Sequence, residues 1–303
     1  CKIRAMPYFI YLLRFLFGTI IGSFLNVPIC RFRENEPFLA GSHFLGRSRC
    51  LSCKKILSWK ELIPLFSFLI QFGKCRNCGK SISWQYPLVE FLTGLVFILI
   101  PLRFFNLYGI SALVLSGSGL FWYYWQVAIW ILAFLVFILI AVIDYRLKLV
   151  PDFLNVALVV LGIWLVGAIS YFNKPDFLNR SFLSHYGLLF GKIENIWLNH
   201  LFAALVVGGF FAAIFFLSKG RGIGFGDVKL GTAIGWFLGW PDAALSVFLA
   251  FIVGGAWGAA AMLFKRKGIK DILPFAPFFI IGAVLTVFAG YFLIDGYFKI
   301  IGL

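Results

Sequence analysis

The sequence predicts an all-α polytopic membrane protein, with about eight transmembrane helices and a cytoplasmic zinc-ribbon-like loop between the first two. Three observations support this fold class. Of the 303 residues, 62% are hydrophobic and only 13% are charged, whereas soluble domains average about 25% charged residues. The apolar residues come in runs of about 20, the length that crosses a hydrocarbon core. Two Cys-x-x-Cys pairs follow the first run. This pattern excludes an ordinary soluble globule, a disordered chain and a disulfide-stapled secreted domain.

Eight apolar segments are candidates for membrane-spanning helices. The first is long and lacks a clear small-residue cleavage site, so we expect a span and not a signal peptide. The sixth is short and rich in glycine, which would allow neighbouring helices to approach closely. The 106–120 region is expected to be a loop. The predicted spans are 7–30, 86–105, 121–143, 153–172, 199–218, 228–241, 243–264 and 274–299.

The basic residues predict the orientation of these spans. One side of the membrane would carry 19 of the 27 Lys and Arg residues, and Lys2 and Arg4 on the other side are the exceptions. Because cytoplasmic loops carry an excess of Lys and Arg, the 31–85 loop is predicted to be cytoplasmic and both termini to lie outside. In a membrane protein the net charge of +15 indicates anionic lipid headgroups as partners, and no nucleic acid.

A cysteine cluster marks the polar stretch between the first two spans. Its two Cys-x-x-Cys pairs are separated by 21 residues, close to the spacing of a zinc ribbon, in which two tight hairpins each present two thiolates. Four thiolates fill the coordination shell, so the predicted zinc is structural. The alternative, free thiols or redox-active pairs, is disfavoured by the matched pairs in a cytoplasmic loop. The predicted ligands are Cys50, Cys53, Cys75 and Cys78.

Two aspartates are expected at the cytoplasmic edge of the membrane. Asp144 ends a long apolar span, and Asp227 stands in a Gly-Phe-Gly-Asp run. A lone carboxylate there is costly to keep ionised, whereas two that meet share a proton and supply one base and one acid. The base would activate a water that attacks a peptide carbonyl, and the acid would protonate the leaving amine. Gly224 and Gly226 would let an extended substrate backbone approach the pair.

Other acidic residues near the membrane boundary have a simpler interpretation. Each is expected to be an interfacial carboxylate paired with a nearby cation, such as Arg146 or Lys229. The matching depth of Asp144 and Asp227, and the Gly-x-Gly-Asp context of the second, set this pair apart. The simpler interpretation is expected to hold for Asp152, Asp242 and Asp271.

Several motifs resemble those of bacterial type IV prepilin peptidases, and their order matches that family from about residue 18 to residue 282. Leu51 departs from the pattern, because a proline often follows the first cysteine of the tetrad, and the 28–40 stretch is more acidic than usual. The matching motifs are Gly-Ser-Phe-Leu-Asn-Val (22–27), Gly-Arg-Ser-Arg-Cys (46–50), Trp-Lys-Glu-Leu-Ile-Pro (59–64), Gly-Lys-Cys-Arg-Asn-Cys (73–78), Ile-Ser-Trp-Gln-Tyr-Pro-Leu-Val-Glu (82–90), Gly-Phe-Gly-Asp-Val-Lys-Leu (224–230) and Pro-Phe-Ala-Pro-Phe (274–278).

The resemblance implies a multi-pass aspartyl endopeptidase of the bacterial inner membrane. It would cut the leader from prepilins and pseudopilins at the cytoplasmic face, with Asp144 and Asp227 as catalytic residues. Many members also N-methylate the new amino terminus from S-adenosylmethionine, through the cysteine-bearing region, but the sequence indicates no residues for that cofactor. The expected domains are the first transmembrane helix (1–30), the zinc-binding and methyltransferase region (31–85) and the transmembrane peptidase domain (86–303).

Two alternatives stay open at the level of sequence. A presenilin-like or signal-peptide-peptidase-like protease shares the Gly-x-Gly-Asp motif and cuts within the bilayer, but such an enzyme leaves the four-cysteine loop unexplained. A non-catalytic membrane scaffold would use its zinc ribbon to bind a partner and would have no need of the two aspartates. The position of the cut and the effect of aspartate substitutions distinguish these alternatives from a leader peptidase.

Overall fold

A computed structural model describes residues 2–33, 46–114, 117–172, 181–191, 193–264 and 274–302. Within these ranges the regular structure is helical, apart from two isolated β-bridges in the cysteine-rich segment. Short 3₁₀ helices cover Trp59–Glu61 and Ser184–Phe190. The α-helices are α1 Lys2–Arg31, α2 Phe66–Ile70, α3 Gln85–Val114, α4 Gly117–Leu147, α5 Asp152–Phe172, α6 Ile196–Leu217, α7 Phe225–Leu238, α8 Asp242–Leu263 and α9 Ala276–Ile301.

Every predicted span corresponds to a helix, which confirms the all-α membrane fold. Among the described residues, 7 helices are long and apolar enough to cross a membrane. The exception is α7, whose 14 residues cover only about 21 Å at 1.5 Å per residue. The hydrocarbon core is about 30 Å thick, so this helix is too short to span the membrane unaided.

The predicted loop over 106–120 is wrong. Helix α3 continues to Val114, and α4 begins at Gly117. The stretch 106–114 contains no proline and one glycine, so nothing in it breaks the backbone hydrogen-bond pattern of a helix. Hydropathy marks where the apolar span ends, and a helix can continue beyond that point.

The chain divides into two compact units, Cys1–Val142 and Ile143–Leu303. In the first unit α1 packs along α3, and the backbones touch where glycines face the partner helix. A Cβ atom added to Gly18 would lie 2.8 Å from the Cα atom of Gly94. Because real side chains cannot approach so closely, these two positions admit no larger residue without separating the helices.

The second unit is organised around the short helix α7, which packs against α5 and α6. Small residues again permit the close approach, as the sequence predicted for this segment. A Cβ atom added to Gly235 would lie 2.8 Å from the carbonyl oxygen of Ala203 in α6. Helices α8 and α9 form a second close pair in the same unit. The fold therefore encloses α7 between neighbouring helices.

Beyond the C-terminal end of α7, a buried acid ties a loop to the next helix. The Asp242 side chain is only 2% exposed. Its carboxylate accepts hydrogen bonds from the Ser181 hydroxyl, at 2.9 Å, and from the backbone N–H of Phe182. Asp242 is thus a buried hydrogen-bond acceptor, whereas the sequence predicted a carboxylate at the membrane interface. Its burial follows from its place in the first turn of α8, beside the packed segment that begins at Ser181.

Candidate active site and metal centre

Asp144 lies in the last turn of α4, and its side chain is only 5% exposed. The backbone N–H of Ala276, the first residue of α9, donates a hydrogen bond to the carboxylate. The Oδ2 atom of Asp144 is buried and finds no hydrogen-bond partner among the described residues. Buried polar atoms are satisfied in most folds, and an exception calls for a specific explanation such as a role in chemistry.

Asp227 is the third residue of α7, and the start of that helix fixes its side chain. Gly224 is the N-cap residue, and its backbone N–H donates to the Asp227 Oδ2 atom at 3.1 Å. A carboxylate at this position also gains from the positive end of the helix dipole. The Gly-x-Gly-Asp run therefore forms a helix start that presents a half-buried carboxylate.

Both carboxylates belong to the second unit. They lie within electrostatic reach of each other, since the charge of Asp227 acts on Asp144. The segment that follows Asp144 is held against the first turn of α7. A Cβ atom added to Gly226 would lie 3.5 Å from Val150. Two distant parts of the sequence therefore form one acidic pair next to the entrance of a short helix.

An ion pair lies near the start of α7 in the second unit. The Lys229 ammonium group contacts the Asp152 carboxylate at 2.8 Å, with both side chains partly exposed. This confirms the simpler interpretation given to Asp152. Lys229 also lies over the ring of Phe225, 5.2 Å from its centroid. Asp271, for which a similar pair was predicted, lies outside the described residues.

The two glycines beside Asp227 are not required by the fold. Gly224 has φ −80°, a value open to any residue. A Cβ atom added to it would meet its nearest neighbour, the Asp227 Oδ2 atom, at 3.7 Å, which is ordinary van der Waals contact. The same holds for Gly226 against Val150. Local packing would therefore accept alanine at both positions, so their absence of side chains needs another explanation.

The four predicted metal ligands form one cluster in the first unit. All four sulfur atoms lie within 4.8 Å of one another, and the Sγ atoms of Cys50 and Cys78 are 3.9 Å apart. A tetrahedral zinc site with Zn–S bonds of about 2.3 Å places its sulfurs about 3.8 Å apart. The donor set and its spacing therefore fit a metal such as zinc. The residues of the cluster are Cys50, Cys53, Cys75 and Cys78.

Each cysteine pair lies on a tight hairpin, and the two hairpins have the same backbone pattern. In the first, the N–H of Cys50 donates to the carbonyl of Lys55, and the N–H of Lys54 donates back to Cys50. In the second, Cys75, Gly79 and Lys80 make the equivalent bonds. The residue after each second cysteine adopts a left-handed conformation, with φ 60° at Lys54 and 67° at Gly79. Glycine meets this requirement without strain, whereas lysine does so at a cost.

Hydrogen bonds of the hairpins favour the thiolate form that binds metals at two of the four cysteines. The backbone N–H of Lys55 and the side chain of Asn77 donate to the Cys53 sulfur, and they lower the pKa of its thiol to about 6. Backbone N–H groups of Cys78 and Asn77 likewise lower the pKa of Cys75. At Cys78 the Lys80 N–H acts in the same direction, but burial and the neighbouring cysteine sulfurs outweigh it and raise the pKa to about 11. Because the thiolate is the ligand, the bonds to Cys53 and Cys75 favour binding of a cation.

Sequence reasoning missed two contributors to these sites. The Ala276 N–H that bonds Asp144 belongs to the backbone, so residue type gives no sign of it. The Pro-Phe-Ala-Pro-Phe run was the available signal, since Pro277 at the second helical position indicates a helix start. Asn77 was visible only as a turn residue, yet its side chain lies 3.6 Å from the Cys53 sulfur.

Comparison with known proteins agrees with this geometry. Residues 16–104 match the model of the bacterial peptidase A24 N-terminal domain, and residues 130–259 match the type IV leader peptidase family. The chain is 31% identical over 285 residues to the prepilin leader peptidase/N-methyltransferase of Bacillus subtilis, covering 94% of this chain and 96% of that protein. It is 32% identical over 306 residues to the protein of the same name from Xanthomonas campestris, covering 94% and 93%.

A third relative of that name, from Legionella pneumophila, is 27% identical over 317 residues, with 96% of this chain and 95% of the relative covered. No solved structure matches the chain. The family models begin in α1 and end in α8, so they include both the cysteine cluster and the aspartate pair. The chain therefore belongs to the type IV leader peptidase family, and it is a membrane-embedded peptidase.

Proposed function

We propose that this chain is an aspartyl endopeptidase that removes the leader peptide from type IV prepilins or pseudopilins, with Asp144 and Asp227 as its catalytic pair. The names of its relatives, prepilin leader peptidase/N-methyltransferase, support the substrate class. The observation that carries the proposal is that Asp144 and Asp227 lie within electrostatic reach of each other, one buried with an unsatisfied oxygen and the other presented by a helix start.

The chemistry follows from a carboxylate pair that holds one proton between its members. The ionised carboxylate removes a proton from a water molecule as the water oxygen attacks the scissile carbonyl carbon. The protonated carboxyl gives its proton to the developing oxyanion. The tetrahedral intermediate then collapses, the C–N bond breaks, and the amine leaves with a proton from the pair. The buried Oδ2 atom of Asp144 is free to take part in these transfers.

The glycines at the start of α7 fit a role in binding the substrate. The fold accepts a Cβ atom at Gly224 and Gly226, so the missing side chains leave room for something outside the fold. An extended peptide backbone laid along this segment would come close to the Asp227 carboxylate. We assign both glycines to the approach of the substrate.

We place the cut at the cytoplasmic face of the bacterial inner membrane. The excess of Lys and Arg on the loops next to both aspartates supports this orientation. Asp144 lies in the last turn of its membrane helix, and Asp227 lies in the first turn of α7. A leader that precedes a hydrophobic segment would meet the pair at that boundary.

N-methylation of the new amino terminus is a second proposed activity, supported by the methyltransferase half of the relatives' names. S-adenosylmethionine would supply the methyl group, and we assign no residues to its binding. The cysteine cluster would hold zinc in a structural role, because four thiolates leave no coordination position for a substrate. Transfer of a labelled methyl group to cleaved pilin tests this half, and cleavage without any incorporation would exclude it.

The test of cleavage uses the full chain reconstituted in vesicles with a purified prepilin. Asp144→Asn and Asp227→Asn should each lower kcat by about 10²–10⁴-fold, the usual contribution of general acid–base groups. Asp152→Asn is the matched control, since it removes a carboxylate from the same corner that pairs with Lys229. The control should retain activity within about threefold, as expected for an exposed ion pair.

The cleavage assay also separates the alternatives. Sequencing the new amino terminus should place the cut on the polar side of the substrate's hydrophobic segment. A cut inside that segment would instead indicate an intramembrane protease of the presenilin type. Full activity in either aspartate variant would refute the catalytic pair. Absence of cleavage by the unsubstituted chain would leave the zinc-dependent scaffold as the remaining alternative.

A further inference from the structure

The segment between the two cysteine hairpins exposes an unusual set of large apolar side chains. Phe72 is 89% exposed, Leu69 is 65% exposed and Ile70 is 62% exposed. Contiguous apolar surface of this kind on a water-facing loop indicates an interaction site. We call this set the Leu62–Phe72 surface, and it consists of Leu62, Ile63, Phe66, Leu69, Ile70 and Phe72.

We propose that the Leu62–Phe72 surface lies in the interface of an anionic lipid bilayer and anchors the cysteine cluster to the membrane. The proposal is independent of the catalytic pair and of the methyl transfer proposed above. It assigns a binding partner to a part of the chain that the chemistry of cleavage does not use. Three observations support it: the depth of the segment, the direction of its side chains and the charges around it.

The depth follows from one hydrogen bond. The backbone N–H of Leu65 donates to the Glu90 Oε2 atom at 2.7 Å. Glu90 belongs to α3, whose apolar span begins at Gln85, so at 1.5 Å per residue it lies about 7.5 Å along the span. Interfacial helices bury their apolar faces about 5–10 Å into the headgroup region. Leu65, directly before Phe66, is therefore held at the depth where such residues insert.

The side chains of the segment divide between an inner and an outer face. Phe68 is buried and packs on Trp84, with ring centroids 4.9 Å apart. Gly73 follows at φ 65°, and a Cβ atom there would come within 3.1 Å of the Phe68 ring. This packing fixes α2 against the start of α3 and directs Phe66, Leu69 and Ile70 outward. Trp84, itself 74% exposed, stands where aromatic residues gather at membrane interfaces.

The charges around this surface favour a lipid over other partners. Residues 62–73 contain no charged side chain; Lys60 and Glu61 precede them, and Lys74 follows them. The whole stretch 46–84 has eight Lys or Arg residues, all exposed, against the single acid Glu61. Anionic headgroups attract such a basic rim around an apolar centre. A second copy of the chain would bring like charges together, and a basic peptide would be repelled.

The test measures contact with lipid directly. The photoreactive amino acid p-benzoylphenylalanine replaces Phe72 in the full chain, which is reconstituted in vesicles of phosphatidylcholine with 30% phosphatidylglycerol. Mass spectrometry should find lipid adducts at this site at least fivefold more often than at the matched control, Ser52, an exposed residue between two ligands of the first hairpin. Omitting phosphatidylglycerol should lower the yield at position 72 by twofold or more. Crosslinks to a second copy of the chain, or adduct yields equal at both positions, would overturn the proposal.

A second measurement uses unsubstituted residues, so it does not depend on how the photoreactive variant folds. Backbone amides of residues 62–72 should exchange with deuterium at least tenfold more slowly in anionic nanodiscs than in zwitterionic ones. Leu69→Ser combined with Phe72→Ser should remove that difference while the metal content stays at that of the parent chain. Equal exchange in both lipids would refute the proposal, as would protection that appears only when prepilin is added.

Discussion

The cysteine cluster and the aspartate pair reach their geometry in opposite ways. The four cysteines come from two hairpins whose backbone hydrogen bonds span nine residues or fewer, and each hairpin repeats the pattern of the other. The aspartates come from the end of α4 and the start of α7, and a third helix contributes the N–H that bonds Asp144. The first site is built by local turns that could hold a metal ion, and the second depends on the packing of an entire helical unit. Substitutions at the two sites should therefore affect different parts of the structure.

Loss of the metal should have the largest effect and should stay local. Structural zinc sites of this kind contribute about 10–16 kcal/mol of apparent binding energy to folding. Cys50→Ser combined with Cys78→Ser should therefore abolish metal retention and the hydrogen-exchange protection of residues 46–84. Protection of the second unit should be unchanged. Cys30→Ser is the control, since Cys30 belongs to the same unit but lies outside the cluster. Collapse of protection across residues 143–303 would show that the two sites are not separable.

Neutralising each of two buried carboxylates of the second unit should change the free energy of unfolding by different amounts. Asp242→Asn removes a charged acceptor of the Ser181 and Phe182 bonds and should cost about 1.5–3 kcal/mol. Asp144→Asn keeps an oxygen that can accept the Ala276 N–H, removes a charge within reach of Asp227, and replaces an Oδ2 atom that has no hydrogen-bond partner among the described residues. Its stability should therefore be unchanged or slightly higher, as expected for an active-site residue that trades stability for function. Thermal unfolding in nanodiscs measures both, and a loss at Asp144 as large as at Asp242 would assign it a structural role.

Alanine at the start of α7 should separate substrate binding from folding. Gly224→Ala should lower kcat/KM for prepilin by about tenfold, which corresponds to about 1.4 kcal/mol. Its cost in stability should be below about 1 kcal/mol, because glycine is only a moderately better N-cap than alanine. Gly209→Ala is the control, a helical glycine whose added Cβ atom meets nothing within 4 Å. Equal activity of Gly224→Ala and the parent chain would exclude a role in substrate approach.

The ion pair between Lys229 and Asp152 should have the smallest effect. Both side chains are partly exposed, at 39% and 68%, and pairs of this kind contribute about 0–1 kcal/mol. Lys229→Met should therefore shift the melting temperature by no more than a few degrees. A double-mutant cycle with Asp152→Asn measures the coupling energy. A coupling above about 2 kcal/mol would exceed the range for exposed pairs and would make this pair part of the support for the acidic site.

The difference between the two sites also explains what the sequence could predict. The four cysteines lie within one short stretch of sequence, so their spacing was enough to predict all four members of the cluster. The sequence also predicted which two aspartates form the acidic pair, because Gly-x-Gly-Asp marks a helix start. The distance between them depends on how the helices of the second unit pack, which the sequence does not show. The Ala276 N–H and the burial of Asp242 depend on that packing too. Hydropathy likewise located the spans, yet it ended α3 too early, because helical backbone continues where apolarity stops.

The shortness of α7 has a consequence for the supply of water. Its 14 residues leave about 9 Å of a hydrocarbon core unspanned. A helix shorter than the core is accommodated by local thinning of the bilayer or by flanking polar side chains that reach the surface. Because α7 begins at the proposed catalytic pair, such thinning would bring water close to the point where hydrolysis needs its second reactant. A helix shorter than the hydrocarbon core would thus give bulk water access to a reaction at the membrane boundary.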